Sequence, residues 1–328
     1  MTPRRTGQRV IFAGLLLLLG GAALWRLAAG DMPLPPGRVF KILLFPDPGA
    51  SPRETAVVRL VRLPRLLASM GAGASLAVSG SVLQGVLGNP MAEPYTLGIA
   101  AGAAFGASAA ITLGWAQVSA AAFAGALAAL GLALFLSWRS GGSRLSMILS
   151  GIVVSSVLSA GVTLFKALAD ERVSSIVLWL MGSFSGATMR DAGAAWAGAA
   201  LLLGAGLWWG RELDAISLGE SRAVYLGVNE GRIRGALLVL ASLSAALTAA
   251  SFGIIGFVGL AGPHLARMVL GPSHRPLLMA SFLGGAALMT GADGLARQLG
   301  ELPAGVITAL AGGPLFCWIL VRERGTGQ

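Results

Sequence analysis

The sequence predicts an all-α membrane protein, a single transmembrane domain of about ten helices over residues 1–328. Hydrophobic residues make up 55% of the chain and charged residues only 12%, and the mean hydropathy is +0.77. A surface of this composition is too apolar for water. Apolar stretches of about 17 to 25 residues, enough for a helix to cross about 30 Å of hydrocarbon, recur along the whole chain. No stretch is left over for a separate soluble domain.

The predicted spans set the topology. They lie at residues 10–29, 62–83, 93–113, 117–137, 145–168, 191–209, 234–250, 254–270, 276–294 and 303–321. An even number of spans places both termini on one side, and basic residues at 4–9 and 322–324 make that side cytoplasmic, because basic residues favour the cytoplasmic face. A cluster of basic residues in and just after the outer segment 30–61 departs from this bias and needs its own explanation.

The N-terminal 30 residues also fit a different interpretation. Basic residues at 4–9 precede an apolar run from Val10 to Leu24, and small residues follow near Ala28, as in a secretory signal. The later spans need no cleaved leader. An uncleaved first helix with a cytoplasmic basic end is therefore the simpler prediction.

Two long connections and one short apolar stretch differ from simple turns. The outer connection, about 30–61, is rich in proline and cannot be regular helix throughout. The cytoplasmic connection, about 210–233, mixes charges with apolar residues at helical spacing, which predicts short amphipathic helices. The stretch 173–185 is apolar but short, and it suits a partial helix that dips in from the outer face.

Two rows of glycines are spaced for close helix packing. They are Gly98, Gly102 and Gly106, four residues apart, and Gly253, Gly256, Gly259 and Gly262, three residues apart. Small residues let neighbouring backbones approach inside lipid, where helices gain no hydrophobic drive from contact with each other. We therefore predict packing contacts for both rows.

The chain lacks the residues for several chemistries. Its only lysines, Lys41 and Lys166, lie outside any phosphate-binding glycine loop, so an ATPase must be another polypeptide. The two histidines have no cysteine or carboxylate at ligand spacing and Cys317 is alone, so no metal site is predicted. Basic residues are scattered singly, which argues against nucleic acid binding. The spans are nearly free of charge, which weakens ion coupling, an ion channel and an intramembrane enzyme.

The segment 84–98, QGVLGNPMAEPYTLG, predicts a break between the second and third spans. Asn89 and Glu93 each precede a proline, and a residue before proline disfavours helical geometry. We therefore expect the helix to break here and to restart near Pro94. A broken segment at membrane depth is tolerated only inside protein or along a water-filled path. Asn89 and Met91 are therefore candidates for a constriction, and a plain turn is the alternative.

Six motifs together identify a resemblance. They are RLPR (62–65), SGSVLQGVLGNPMAEPYTLGIAAGAAFGA (79–107), LGESRAVYLGV (218–228), GFVGLAGPHLAR (256–267), ADGLAR (292–297) and ELPAGVITALAGGPLF (301–316). In this order the chain resembles a FecCD-type permease of the bacterial ABC importers for iron-siderophores, haem and cobalamin. The motifs run from the second span to the last, whereas the first 60 residues contribute little.

The resemblance implies a type II importer bundle in the bacterial inner membrane. Two copies of the permease would form the pathway on the dimer axis, with two ATPase subunits inside and a periplasmic binding protein outside. ATP and Mg would bind the ATPases, and this chain would need no cofactor and catalyse no reaction. The expected cargo is an iron chelate moved by alternating access; cobalamin is the alternative, and an ion-coupled secondary transporter is the less favoured one.

The resemblance also implies roles for particular residues. The ATPase-coupling element corresponds to residues 217–231, including Leu218, Gly219, Glu220, Arg222 and Gly227. The inner gate corresponds to the loop of Asn89 and Met91. The family has a second gate element before the fifth span, but Arg144 stands there in place of a small polar residue, so we assign only the first.

The basic outer rim acquires an explanation from the same resemblance. Arg62, Arg65 and Arg297 correspond to family residues that face the acidic lobes of the binding protein, where charge pairs mainly set orientation and association rate. The alternative is that these side chains snorkel or pair within the chain, for example Arg297 with Asp293 at helical spacing.

Overall fold

The computed structural model describes residues 3–28, 30, 32, 34–45 and 51–324, and every regular element within them is helical. The α-helices are α1 Pro3–Ala28, α2 Pro36–Leu44, α3 Pro52–Ala56, α4 Leu63–Leu87, α5 Ile99–Leu113, α6 Val118–Arg139, α7 Arg144–Leu168, α8 Val173–Leu180, α9 Met189–Trp208, α10 Gly210–Ser217, α11 Glu220–Tyr225, α12 Glu230–Phe252, α13 Val258–Leu270, α14 His274–Gln298 and α15 Ala304–Arg324. A π-helical turn, Val57–Arg62, joins α3 to α4.

Each predicted span overlaps one helix, in the order α1, α4, α5, α6, α7, α9, α12, α13, α14 and α15. Within the described chain, six helices are long and apolar enough to cross a membrane alone, and α9 with α10, bent by 71°, would add a seventh. The helices α5, α13 and α15 are shorter in their apolar part. Non-helical segments precede α5 and α13 and take up part of the depth, so the fold is consistent with about ten spans.

Helix α4 forms the centre of the bundle. It packs against α9, α12, α13 and α14, and nearly all of its residues are buried. Its sequence allows this because it is rich in small residues, several of which hydrogen-bond across helices: the Ser75 hydroxyl lies 2.7 Å from the Ser244 hydroxyl, and Ser81 donates to the Ser281 hydroxyl at 2.8 Å. Small and hydroxyl residues at helix crossings hold membrane bundles together. In contrast, α1 is peripheral, with little of its surface buried.

The predicted glycine rows are partly confirmed. A Cβ on Gly102 would meet the Gly125 carbonyl of α6, one on Gly106 would meet the Ala121 carbonyl, and one on Gly259 would meet the ring of Pro94. Gly98 plays a different part, since it opens α5 in a left-handed conformation with φ +83°. The packing prediction is wrong for Gly256, which lies in the non-helical segment before α13 with no atom within 4 Å of its Cβ position.

The connecting segments contain the kinds of short helix that the sequence predicted. The proline-rich outer segment holds two short helices, α2 and α3, of which α3 begins with a capping box between Ser51 and Glu54. The cytoplasmic connection forms the short helices α10 and α11, and the partial outer helix is α8. One boundary was mispredicted: the helix after the break restarts at Ile99 and not near Pro94, because residues 94–98 form turns that end at the left-handed Gly98.

Candidate functional site

The C-terminal end of α4 leads into the broken segment, residues 88–98. Gly88 ends the helix in a left-handed conformation, with φ +59°. The Asn89 side-chain oxygen accepts a hydrogen bond of 2.9 Å from the Met91 amide, which is a local turn typical of asparagine. Met91 itself is 46% exposed. The structure thus uses the Asn89 side chain to shape the turn and leaves Met91 exposed at its tip; a gating role for either stays a prediction.

The rest of the broken segment lies inside the bundle. Gly259 of α13 faces Gly80 and the Leu76 carbonyl of α4. These two residues lie about 10 Å and 16 Å from the C-terminal end of α4, measured along that helix. Pro94 packs on this same Gly259, and the Thr96 carbonyl lies against Gly151 of α7. Irregular backbone at this depth needs protein around it, and here α7 and α13 supply it. A movement of either helix must therefore act on the segment.

The coupling segment, residues 210–231, contains α10, α11 and the predicted coupling element 217–231, and it is fixed to the bundle at its α10 end. Leu213 and Ile216 are fully buried, and α10 contacts α4 and α14. Asp214 accepts a 2.7 Å hydrogen bond from the His274 amide at the start of α14, and the same oxygen lies 2.7 Å from His274 Nδ1. Burial raises the pKa of Asp214, but the hydrogen bonds from His274 outweigh it and leave the pKa below its usual value. A charged carboxylate thus joins α10 to the N-terminus of α14.

The other end of the coupling segment presents an apolar surface. Leu218, Tyr225 and Leu226 are 58%, 90% and 64% exposed, and Arg222 is exposed beside them. The turns on either side of α11 depend on glycine, because Gly219 and Gly227 have φ +111° and +75°. Glu220 begins α11, but its side chain lies outside the part that the structure describes. The predicted coupling residues therefore lie together at one tip, and the coupling role itself stays a prediction.

The outer arginines lie in a buried cluster at the opposite end of the bundle. Arg62 is 2% exposed and donates to carbonyls at the end of α1, including that of Leu27 at 2.6 Å. Arg65 donates to Asp293 at 2.9 Å and to Glu301 at 2.7 Å. These contacts satisfy helix-end carbonyls and buried charges within the chain.

The same cluster contains two residues that sequence reasoning missed, Arg26 and Glu301. Arg26 of α1 donates to Asp293 at 2.8 Å and 2.9 Å, and Arg297 pairs with Glu301 at 3.3 Å. The placement favours the local-pairing alternative for the outer arginines, and a docking role for them stays a prediction. A signal was present in the sequence, since Arg26 and Asp293 are lone opposite charges near the outer ends of apolar spans.

Comparisons with known proteins agree with this architecture. The model of the FecCD transport family matches residues 15–322. A cobalamin import system permease of Halobacterium salinarum is 41% identical over 282 residues, covering 83% of this chain and 75% of the relative. A hemin transport system permease of Yersinia pestis is 37% identical over 279 residues, covering 80% and 83%. A solved structure described as an inward-facing conformation of a putative metal-chelate type ABC transporter superposes with a TM-score of 0.85 at 34% identity, covering 96% of this chain and 99% of that one.

Proposed function

The chain belongs to the FecCD transport family of ABC importer permeases, and from this premise we propose that it carries an iron chelate, a siderophore or haem complex, from the periplasm to the cytoplasm by alternating access. The observation that carries the proposal is the extent of the likeness. It spans residues 15–322, so it includes the outer cluster, the broken segment and the coupling segment on one chain.

Cobalamin is the second candidate cargo. The 41% identity with the Halobacterium cobalamin permease favours it. Both cargoes are large, and a permease that receives them from a binding protein needs a weakly binding and mostly uncharged path.

Helix α7 offers such a surface. Ser156, Ser159 and Thr163 are exposed in the middle of a span and lie on one helical face. Apart from Ser155, their neighbours on the chain are apolar. The Ser156 and Thr163 hydroxyls donate to backbone carbonyls of their own helix, at 2.9 Å and 3.1 Å. We place this hydroxyl face on the axis between two copies of the chain, where it lines a neutral pathway.

We assign the ATPases and the binding protein to the two opposite ends of the molecule. Two ATPase subunits, which bind ATP and Mg, dock on the coupling segment, and a periplasmic binding protein docks on the outer face. Both termini then lie in the cytoplasm and the protein in the bacterial inner membrane. Because α10 packs against the bundle and the residues around α11 are exposed, an ATPase bound to α11 could transmit its movement to the bundle through α10.

Replacing Tyr225 by alanine tests the ATPase contact. Tyrosine is enriched among the few interface residues whose truncation costs about 2 kcal/mol or more, and Tyr225 is the aromatic residue of this tip. We therefore expect the variant to bind the ATPase at least about tenfold more weakly. Its Tm should not change, because Tyr225 is 90% exposed. The measurement is a titration of the permease in nanodiscs with the purified ATPase.

Trp138→Ala is the matched control, since Trp138 is an aromatic residue 72% exposed at the end of α6. It should leave ATPase binding unchanged. Equal affinities for the Tyr225 variant and the unmodified protein would contradict the proposed docking surface.

The function itself is tested in proteoliposomes that contain the permease and its ATPase, with the binding protein loaded in turn with a ferric siderophore, haem or cobalamin. Uptake and stimulated ATP hydrolysis with an iron chelate are expected. The same response to cobalamin alone would favour the second candidate. Uptake that persists without the ATPase would overturn the importer proposal in favour of an ion-coupled transporter.

A further inference from the structure

Arg144 joins separate parts of the cytoplasmic end. It is the first residue of α7, after the Ser143 cap. Its Nη2 donates to the Ile216 carbonyl in the last turn of α10 at 3.0 Å and to the Glu230 carboxylate at the start of α12 at 2.9 Å. Its Nη1 lies against Gly88, where a Cβ would be only 2.6 Å away. One guanidinium therefore contacts the coupling segment, α12 and the end of α4.

The electrostatics favour a cation at this point. The C-terminal ends of α4 and α10 carry the negative end of a helix dipole, and together with the Glu230 carboxylate they offset the positive N-terminal ends of α7 and α12. The Glu230 carboxylate is mostly buried and also lies 3.5 Å from Arg234. The side chain of Arg144 is 19% exposed, so these interactions are partly shielded from water. Hydrogen bonds to charged groups contribute about 1.5–3 kcal/mol each, so the bonds of Arg144 stabilise the contact between α7, α10 and α12.

The contacts also require the shape of arginine. The guanidinium presents several N–H donors in a planar fork, so it reaches a backbone carbonyl, a carboxylate and Gly88 at once. A lysine at this position could keep the ion pair with Glu230 but would be a single point charge. Gly88 in turn leaves the space that Nη1 occupies, because any side chain there would displace it.

We propose that Arg144 is a positioning residue that transmits the movement of the coupling segment to the broken segment, residues 88–98. The proposal rests on the proposed function, and it extends it to a residue that stands in place of the small polar residue of the family. When the ATPase moves α10, the Ile216 carbonyl carries Arg144 with it. Arg144 then moves the Gly88 turn and Met91, three residues further on.

The alternative is that Arg144 only stabilises the fold. Helix α10 also has direct contacts with α4, so some movement could pass without the arginine. The two roles differ in what is lost on substitution. A stabilising residue affects Tm and assembly, whereas a transmitting residue affects the response of the broken segment to ATP in a protein that is still assembled.

The test follows a reporter cysteine at position 91. Met91→Cys is introduced into a Cys317→Ser background, the permease is assembled with its ATPase in nanodiscs, and the rate of maleimide labelling is measured with and without ATP and vanadate. The variants are Arg144→Gln and Arg144→Lys. Arg139→Gln is the control, because Arg139 is an exposed arginine at the end of α6 on the same side of the molecule.

We expect ATP to change the labelling rate about tenfold in the reporter background and in the Arg139 variant, and less than about twofold in Arg144→Gln, as when a coupling contact of this size is removed. Arg144→Lys should recover the Tm through Glu230 but not the ATP response. Full recovery of the response by lysine would overturn the proposal. So would an unchanged response in Arg144→Gln, although the importer function would then stand. Uptake by the unmodified protein is measured beside these variants. If the unmodified protein takes up the cargo with ATP but the label in the reporter background does not respond to ATP, this proposal fails and the importer function stands; if the unmodified protein takes up nothing, both fail.

Discussion

Replacing Asp293 by asparagine is expected to lower the free energy of unfolding by about 3–5 kcal/mol, because it removes the counter-charge of two buried arginines. Asp293 is fully buried, and its two oxygens accept hydrogen bonds of 2.8–3.1 Å from Arg26 and Arg65. Asparagine has nearly the same shape, but it is neutral and its amide group is a donor that would face other donors. Helix α1 should be the most affected part, since it is peripheral and Arg26 fixes it to α14.

The measurement is thermal and denaturant unfolding of the purified protein in the same detergent or nanodisc. Glu301→Gln is the matched control at the same cluster, because Glu301 also pairs with Arg65 but its side chain is 46% exposed. Exposed pairs contribute about 0–1 kcal/mol, so the control should lose little stability. If the Asp293 variant lost no more stability than the Glu301 variant, the buried pairs of Asp293 with Arg26 and Arg65 would not stabilise the fold.

Replacing Gly259 by alanine is expected to cost about 1–3 kcal/mol or more and to displace the broken segment. The methyl group would overlap the Pro94 ring and lie 3.0 Å from the Leu76 carbonyl. Neither group can move away cheaply, since one is a rigid ring in a tight turn and the other is the backbone of the central helix α4. Transport should fall together with stability, because Pro94 belongs to the segment that carries Met91.

Gly256→Ala is the control for this variant, from the same row of the sequence. No atom lies within 4 Å of its Cβ position, and its φ is not positive, so alanine fits without strain. Its effect should stay within about 0.5 kcal/mol. Both variants are measured by circular dichroism melts and by the uptake assay. Equal losses of stability and transport in the two would contradict the prediction that the contacts of Gly259 with Pro94 and Leu76 determine the effect.

Much of the fold follows from the sequence. Span number and order, the break after α4, the short helices of the coupling segment and the partial helix α8 were all predicted, because hydropathy, proline and charge act locally. The residues of the tip of the coupling segment, in contrast, came from the resemblance to the FecCD family. A local pattern needs no knowledge of which segments meet.

Partners across the chain were decided by the tertiary structure alone. Within one row of glycines, Gly259 meets Pro94 and Leu76 whereas Gly256 meets nothing, although their spacing is the same. The arginines at 62 and 65 were predicted to face a binding protein, but they are buried within the chain. Their carbonyl and carboxylate acceptors lie 30 or more residues away in sequence.

The sequence by itself determined a membrane permease of about ten spans with its breaks and the short helices of the connection between α9 and α12. The tertiary structure decided which lone charges pair with one another, Arg26 and Arg65 with Asp293 at one end of the bundle and Arg144 with Glu230 at the other. The physical reason is that lipid makes every isolated charge costly, which the sequence reveals, but the partner is selected by packing between helices far apart in the chain.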